Sequence, residues 1–169
     1  MGLLVLGIDP GTRLVGYGLV EVEKGKYRAI DYGFFRVDTK RAFPKRLKQI
    51  HEAISDLIKK SQPDALAVEE VYVSQNAKTT LRLGHARGVI ILAAVEQGIP
   101  VAEYAPREVK QAVLGRGGAT KDQVMWMMAR LLHISMDDLQ EDAADGLAVA
   151  LCHGLRNSGY TAQILNMKK

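Results

Sequence analysis

The chain has one cysteine in 169 residues, Cys152, and so can form no internal disulfide. A lone thiol in an apolar stretch fits a reducing compartment, and the cytoplasm is the expected location. Long hydrophobic runs are missing too. The longest, Val89–Val95, falls far short of the roughly 20 residues that a membrane-crossing helix needs. The N-terminus has no basic stretch and no cleavage site, so no secretory leader is expected, and Leu6 stands where a myristoylation signal carries Ser or Thr. His51, His85, His133 and His153 lack metal-ligand spacing, and no Ser-His-Asp elbow occurs. The Gly115–Lys121 stretch has the wrong spacing for a phosphate-binding loop and follows a helix instead of a strand. There is no internal repeat and no low-complexity segment. These absences exclude a disulfide scaffold, a membrane bundle, a histidine metal site and a P-loop NTPase.

What is present is ordinary for a globular protein: 47% apolar and 25% charged residues. The length suits one domain, expected over residues 1–156, with a short flexible tail over 157–169. The formal charge is only +4, so its distribution carries the information. Basic residues gather between Lys40 and Lys48, then at Lys78, Arg82 and Arg87, then at Arg107, Lys110, Arg116 and Lys121. Acidic ones gather at Asp137, Asp138, Glu141, Asp142 and Asp145. A basic surface around an acidic spot suits a protein that holds a polyanion and sets metal ions against it. Solvated helix faces would produce the same runs.

Apolar periodicity predicts an α/β architecture. Leu3–Ile8 reads as a buried strand stopped by Pro10-Gly11, and Val15–Glu23 and Tyr27–Val37 complete an antiparallel meander. Leu47, Ile50, Ile54, Leu57 and Ile58 sit at helical spacing. Ala65–Val68 is a short strand closed by Glu69-Glu70. Asn76–Gln97 reads as a long helix, Val101–Tyr104 as a strand, and Pro106 opens a short helix. Thr120 can cap a helix over Lys121–His133, and Gln140–Leu155 is the last. Helical crossovers make the first, fourth and fifth strands parallel. The result is a mixed five-stranded sheet flanked by helices.

Three acidic features stand out. Asp9 ends the first strand, where ligands collect outside the carboxyl ends of parallel strands; it can equally cap the Pro-Gly turn. Glu69 and Glu70 end a neighbouring strand at the same sheet edge. Period-2 alternation sends one of them to each face without saying which. Asp142 and Asp145, at i and i+3, share one helix face, though first-turn acids also answer the helix dipole. Carboxylates converging from three elements cannot all ionise unless cations neutralise them. Oxygen-only donors suit Mg²⁺, with Mn²⁺ as a substitute, and two such ions suit phosphodiester cleavage.

The blocks Leu6-Gly7-Ile8-Asp9-Pro10-Gly11-Thr12-Arg13, Ala67-Val68-Glu69-Glu70-Val71-Tyr72, Leu83-Gly84-His85-Ala86-Arg87-Gly88 and Asp142-Ala143-Ala144-Asp145-Gly146 resemble the RuvC family of Holliday-junction resolvases in order and spacing. The resemblance implies a ribonuclease-H-like fold, a homodimer and Mg²⁺-dependent nicking of two opposed strands of a four-way DNA junction. It implies Asp9, Glu69, Asp142 and Asp145 as catalytic metal ligands, which selects Glu69 over Glu70. It sets Lys110 and Lys121 near the scissile phosphate and Tyr72 where an aromatic stacks on an unpaired base, with core packing as the alternative for Tyr72. Lys78, Arg82, Arg87 and Arg116 are the further DNA-contact candidates, and RuvA and RuvB the implied protein partners. The Asp9-Pro10-Gly11-Thr12 turn also resembles the first phosphate motif of actin-like ATPases and sugar kinases. A junction-binding module without catalysis is the third reading. The apolar half of the long helix, Val89–Val95, is the expected dimer surface, with Ile90 and Ile91 as interface positions; a central core helix would show the same pattern.

Overall fold

The computed structural model describes residues 2–157. Of the tail expected over 157–169, Asn157 ends the last helix, and the remainder lies outside the described residues. The apolar runs become β1 (Leu3–Asp9), β2 (Leu14–Glu23), β3 (Lys26–Arg36), β4 (Ala65–Glu69) and β5 (Val101–Tyr104). They form one sheet in the order β3-β2-β1-β4-β5. β1, β2 and β3 pair antiparallel, while β4 runs parallel to both β1 and β5. The helices are α1 (Phe43–Ser61), α2 (Ala77–Glu96), α3 (Pro106–Leu114), α4 (Lys121–Leu131) and α5 (Glu141–Asn157). This is the ribonuclease-H-like arrangement that the resemblance implies.

Side-chain alternation divides the core into two layers. Leu6, Ile8, Leu66 and Val68 pack under α1 and α2. Val5, Val20, Val22 and Ala67 pack under α3, α4 and α5. Asp9 therefore shares the face of Val5, and Glu69 the face of Ala67. Both are directed to the α5 layer by parity alone.

α5 is the buried hub, with Ala143, Ala144 and every residue from Gly146 to Cys152 excluded from solvent. Glycines let it rest directly on the β1–β2 backbone. A Cβ on Gly7 would stand 2.2 Å from the Gly146 carbonyl oxygen, one on Gly16 would stand 1.9 Å from that of Asp142, and one on Gly146 would stand 2.5 Å from the Tyr17 carbonyl carbon. These contacts are backbone against backbone, so no side chain can yield. Gly16→Ala must push the first turn of α5 off the sheet. Overpacking of this kind costs about 1–3 kcal/mol. Thermal unfolding should show that loss, and cleavage should fall further than stability because Asp142 moves with the helix. An unchanged melting curve would mean that α5 is not seated this closely.

The second half of α2 is not a central core helix, because one side of it is left exposed in the single chain. Ile90 is fully buried against α1 with Ala86, Ala93 and Ala94, and Ile91 is half-buried in the same cluster. Ile90 is therefore a core position, and a charge there would break the core, whereas Ile91 keeps part of its surface beside the outward stripe. The outward stripe holds Leu81, Leu92 and Val95, exposed by 65%, 49% and 59%. α4 also ends earlier than the sequence predicts. Leu132 caps it, and His133 takes the left-handed conformation with φ 55°.

Candidate active site

β1 and β4 run parallel with Ile8 beside Val68, so the next residues, Asp9 and Glu69, stand side by side. Adjacent strands are about 4.8 Å apart. With a proton on Asp9, the two carboxyls are placed to share it, which favours the ionised form of Glu69. Glu70 is exposed and follows the last residue of β4, and its N–H donates to the Tyr104 carbonyl at 2.9 Å. α5 brings Asp142 and Asp145 over the same end of the sheet, both half-buried. The sheet and α5 thus unite the four predicted carboxylates, and parity excludes Glu70.

Their electrostatics show the crowding. Burial, followed by the negative charges of Glu69 and Asp145, pushes the Asp9 carboxyl up to about 8. Burial and Asp145 push Glu69 up to about 7, against the pull of the Asp9 hydrogen bond, Lys110 and Lys121. Burial also raises Asp145. Lys121 supplies the cation. Its Nζ lies 2.6 Å from Glu141 Oε1 and 3.6 Å from Asp145 Oδ2. The hydrogen bond to Glu141 holds the ammonium above its ordinary range. A capping box fixes this lysine's position: Thr120 Oγ1 accepts from the Gln123 N–H at 3.3 Å, and Gln123 Oε1 accepts from the Thr120 N–H at 3.0 Å. Lys110 on α3 acts on Glu69.

Among the described residues, no three carboxylate, histidine or cysteine groups close on one point tightly enough to hold an ion as they stand. The carboxylates repel one another, and Lys121 partly neutralises them. Their chemistry nevertheless fits a hard divalent cation: four carboxylates, with no histidine or cysteine among them.

The raised carboxyls set a pH dependence for the cation-free chain. The ordinary values are 3.8 for Asp9 and 4.5 for Glu69, so the folded state binds these protons more tightly than the unfolded one. Their contribution to stability is complete below the ordinary values and is lost as pH rises through about 7 and about 8. In EDTA, the melting temperature should fall between mildly acidic and mildly alkaline buffer, and Asp9→Asn should flatten the slope. A melting temperature that rises through this window would contradict the electrostatics.

A cavity of about 430 Å³ opens beside the cluster, lined by Asp9, Arg13, Arg46, Thr79, Arg82 and Asp142 among others. Tyr72 lies between β4 and α2 and is 80% exposed, so it is not a core residue. Lys78 and Arg116 are exposed. Arg87 pairs with Glu103 of β5, so its charge is already matched. Glu141 reads in the sequence as a plain first-turn acid; its bond to Lys121 comes from α4, 20 residues away. Arg46 reads only as one member of a basic run, yet its guanidinium donates to the Thr12 carbonyl across 34 residues. No local pattern reveals either contact.

The profile described as crossover junction endodeoxyribonuclease RuvC matches residues 5–153. The chain belongs to the RuvC family. It is 50% identical over 151 residues to the RuvC crossover junction endodeoxyribonuclease of Moorella thermoacetica, covering 89% of this chain and 90% of that one. To the RuvC of Desulforamulus reducens it is 43% identical over 162 residues, covering 96% and 99%. The fold matches that of Thermus thermophilus RuvC in complex with Holliday junction substrate, with TM-score 0.82 and 30% identity over 91% of this chain and 94% of that one. The matched span contains all four carboxylates, Lys110 and Lys121. No helix of the described residues is long and apolar enough to cross a membrane.

Proposed function

We propose that this chain resolves four-way DNA junctions by hydrolysing one phosphodiester in each of two opposed strands. The observation that carries this reading is the convergence of Asp9, Glu69, Asp142 and Asp145 at one end of the sheet in a member of the RuvC family. These four side chains would hold Mg²⁺, or Mn²⁺ in its place, two ions to a site. When bound, the ions activate water and offset charge on the leaving oxygen. Lys121 and Lys110 stand where an ammonium can answer the charge that develops on the scissile phosphate. Lys78, Arg82 and Arg116 meet backbone phosphates, and Tyr72, free of the core, stacks on an unpaired base at the crossover.

Two opposed nicks need two sites, and a junction with two-fold symmetry is met by an isologous dimer. The outward stripe of α2 supplies its surface. RuvA and RuvB are the partners that the family resemblance implies, and the cytoplasm is the setting.

The test is a mobile four-way junction incubated with the chain in Mg²⁺ and in EDTA. Paired, opposed nicks in Mg²⁺ alone are expected. A gel shift without nicks in either condition would make the chain a binding module. ATP hydrolysis that ignores DNA would instead favour the actin-like reading of the Asp9-Pro10-Gly11-Thr12 turn.

A further inference from the structure

We propose that Arg13, Arg46 and Arg82 form a subsite for one backbone phosphate of the junction, next to Asp9 and Asp142. This rests on the resolvase reading and goes beyond it by naming a discrete phosphate seat. Lys110 and Lys121 act on Glu69, and Lys121 acts on Asp145 and Asp9 as well. Neither lysine lines the cavity, which is bounded by Asp9 and Asp142. The carboxylates thus have cations on two flanks, and a strand crossing the site meets both.

The arginines arrive from three places: the turn after β1, α1 and α2. Phe43 gathers two of them, with the guanidinium carbons of Arg46 and Arg82 lying 5.7 and 5.1 Å from its ring centroid. Like charges collected on one ring repel unless an anion sits between them. Among the described residues none of the three arginines is paired with a carboxylate, unlike Arg28, Arg41, Arg87 and Arg156, which all are. The Arg46 Nε is buried with no hydrogen-bond partner. One end of that guanidinium is anchored on the Thr12 carbonyl, so the group is oriented before any ligand arrives. A planar, pre-oriented guanidinium is matched to phosphate oxygens. Thr79 lies in the first turn of α2, where the helix dipole is positive.

The experiment is a scan of neutral methylphosphonate linkages through the crossover, measuring junction affinity for the wild type, Arg13→Gln and Arg46→Gln in EDTA. In the wild type, one linkage close to the scissile phosphate should weaken binding about ten-fold, the scale of one charged hydrogen bond. In either variant, that linkage should cost clearly less than in the wild type, because one of the three guanidiniums facing the phosphate is gone, and the salt slope of binding should fall by about one. Arg46→Gln can disturb the turn that Arg46 anchors, whereas Arg13 is exposed and its variant should fold normally. Equal losses at every linkage in wild type and Arg13→Gln would overturn the subsite while leaving the resolvase reading intact. A wild type that fails to bind junctions would overturn that reading first. ATP binding lost in Arg13→Gln, with no coupling to any linkage, would replace the DNA phosphate with that of a nucleotide.

Discussion

Asp9→Asn should give a protein that binds a four-way junction as tightly as the wild type, or more tightly, and does not cut it. Burial first, and then the charges of Glu69, Asp145 and Asp142, raise the proton affinity of Asp9. It belongs at the centre of any cation site the cluster forms. The amide keeps the shape and removes the charge. Losing a ligand charge from a metal-assisted reaction costs several kcal/mol of transition-state stabilisation, and each 1.36 kcal/mol is ten-fold in rate. A fall in nicking rate on the order of 10³-fold or more is expected. Binding survives because no basic surface is lost; above about pH 8, where Asp9 is ionised without cations, one negative charge facing the phosphates disappears as well. Glu69→Gln, Asp142→Asn and Asp145→Asn should behave alike, and Glu70→Gln should be close to neutral. The measurement is a single-turnover nicking rate in Mg²⁺ beside a gel shift in EDTA. Near-normal cutting by Asp9→Asn would remove it from the site. A dead Glu70→Gln with an active Glu69→Gln would reverse the strand-end parity.

That parity shows how far a sequence reaches. The strands were legible because β1 and β4 are short apolar runs ended by carboxylates, and their parallel pairing follows from the helical crossovers. Choosing between Glu69 and Glu70 by pattern needed knowledge of which face carries α5, a tertiary fact. Similarly, α2 and α5 are both rich in apolar residues, but only α5 is buried on every side. The difference lies in Gly7, Gly16 and Gly18, which open a groove in the sheet for α5 and are far from it in the chain. The cations were legible as runs. Their roles were not, because a guanidinium on Thr12 and one on Glu103 look the same in a list of charges.

The exposed side of α2 yields the remaining prediction: Leu92→Glu should give folded monomers. Leu81, Gly84, Gly88, Leu92 and Val95 fall within one narrow stripe of α2 at 3.6 residues per turn. A Cβ at Gly84 or Gly88 would meet nothing within 4 Å, so the stripe is open to a close neighbour. Leucines and a valine bordering small residues suit the same helix of a second copy, packed about a two-fold axis. In such an interface each substitution counts twice, and two glutamates brought together without partners oppose association strongly. Because Leu92 is 49% exposed, the monomer should fold with nearly unchanged stability, whereas fully buried Ile90 changed to Glu should unfold it. Sedimentation should show a wild-type dimer and a Leu92→Glu monomer at micromolar concentration. The monomer should bind junctions weakly and lose coordination between the two nicks, leaving singly cut junctions to accumulate. A wild type that stays monomeric on junction DNA and still cuts both strands in concert would defeat the dimer.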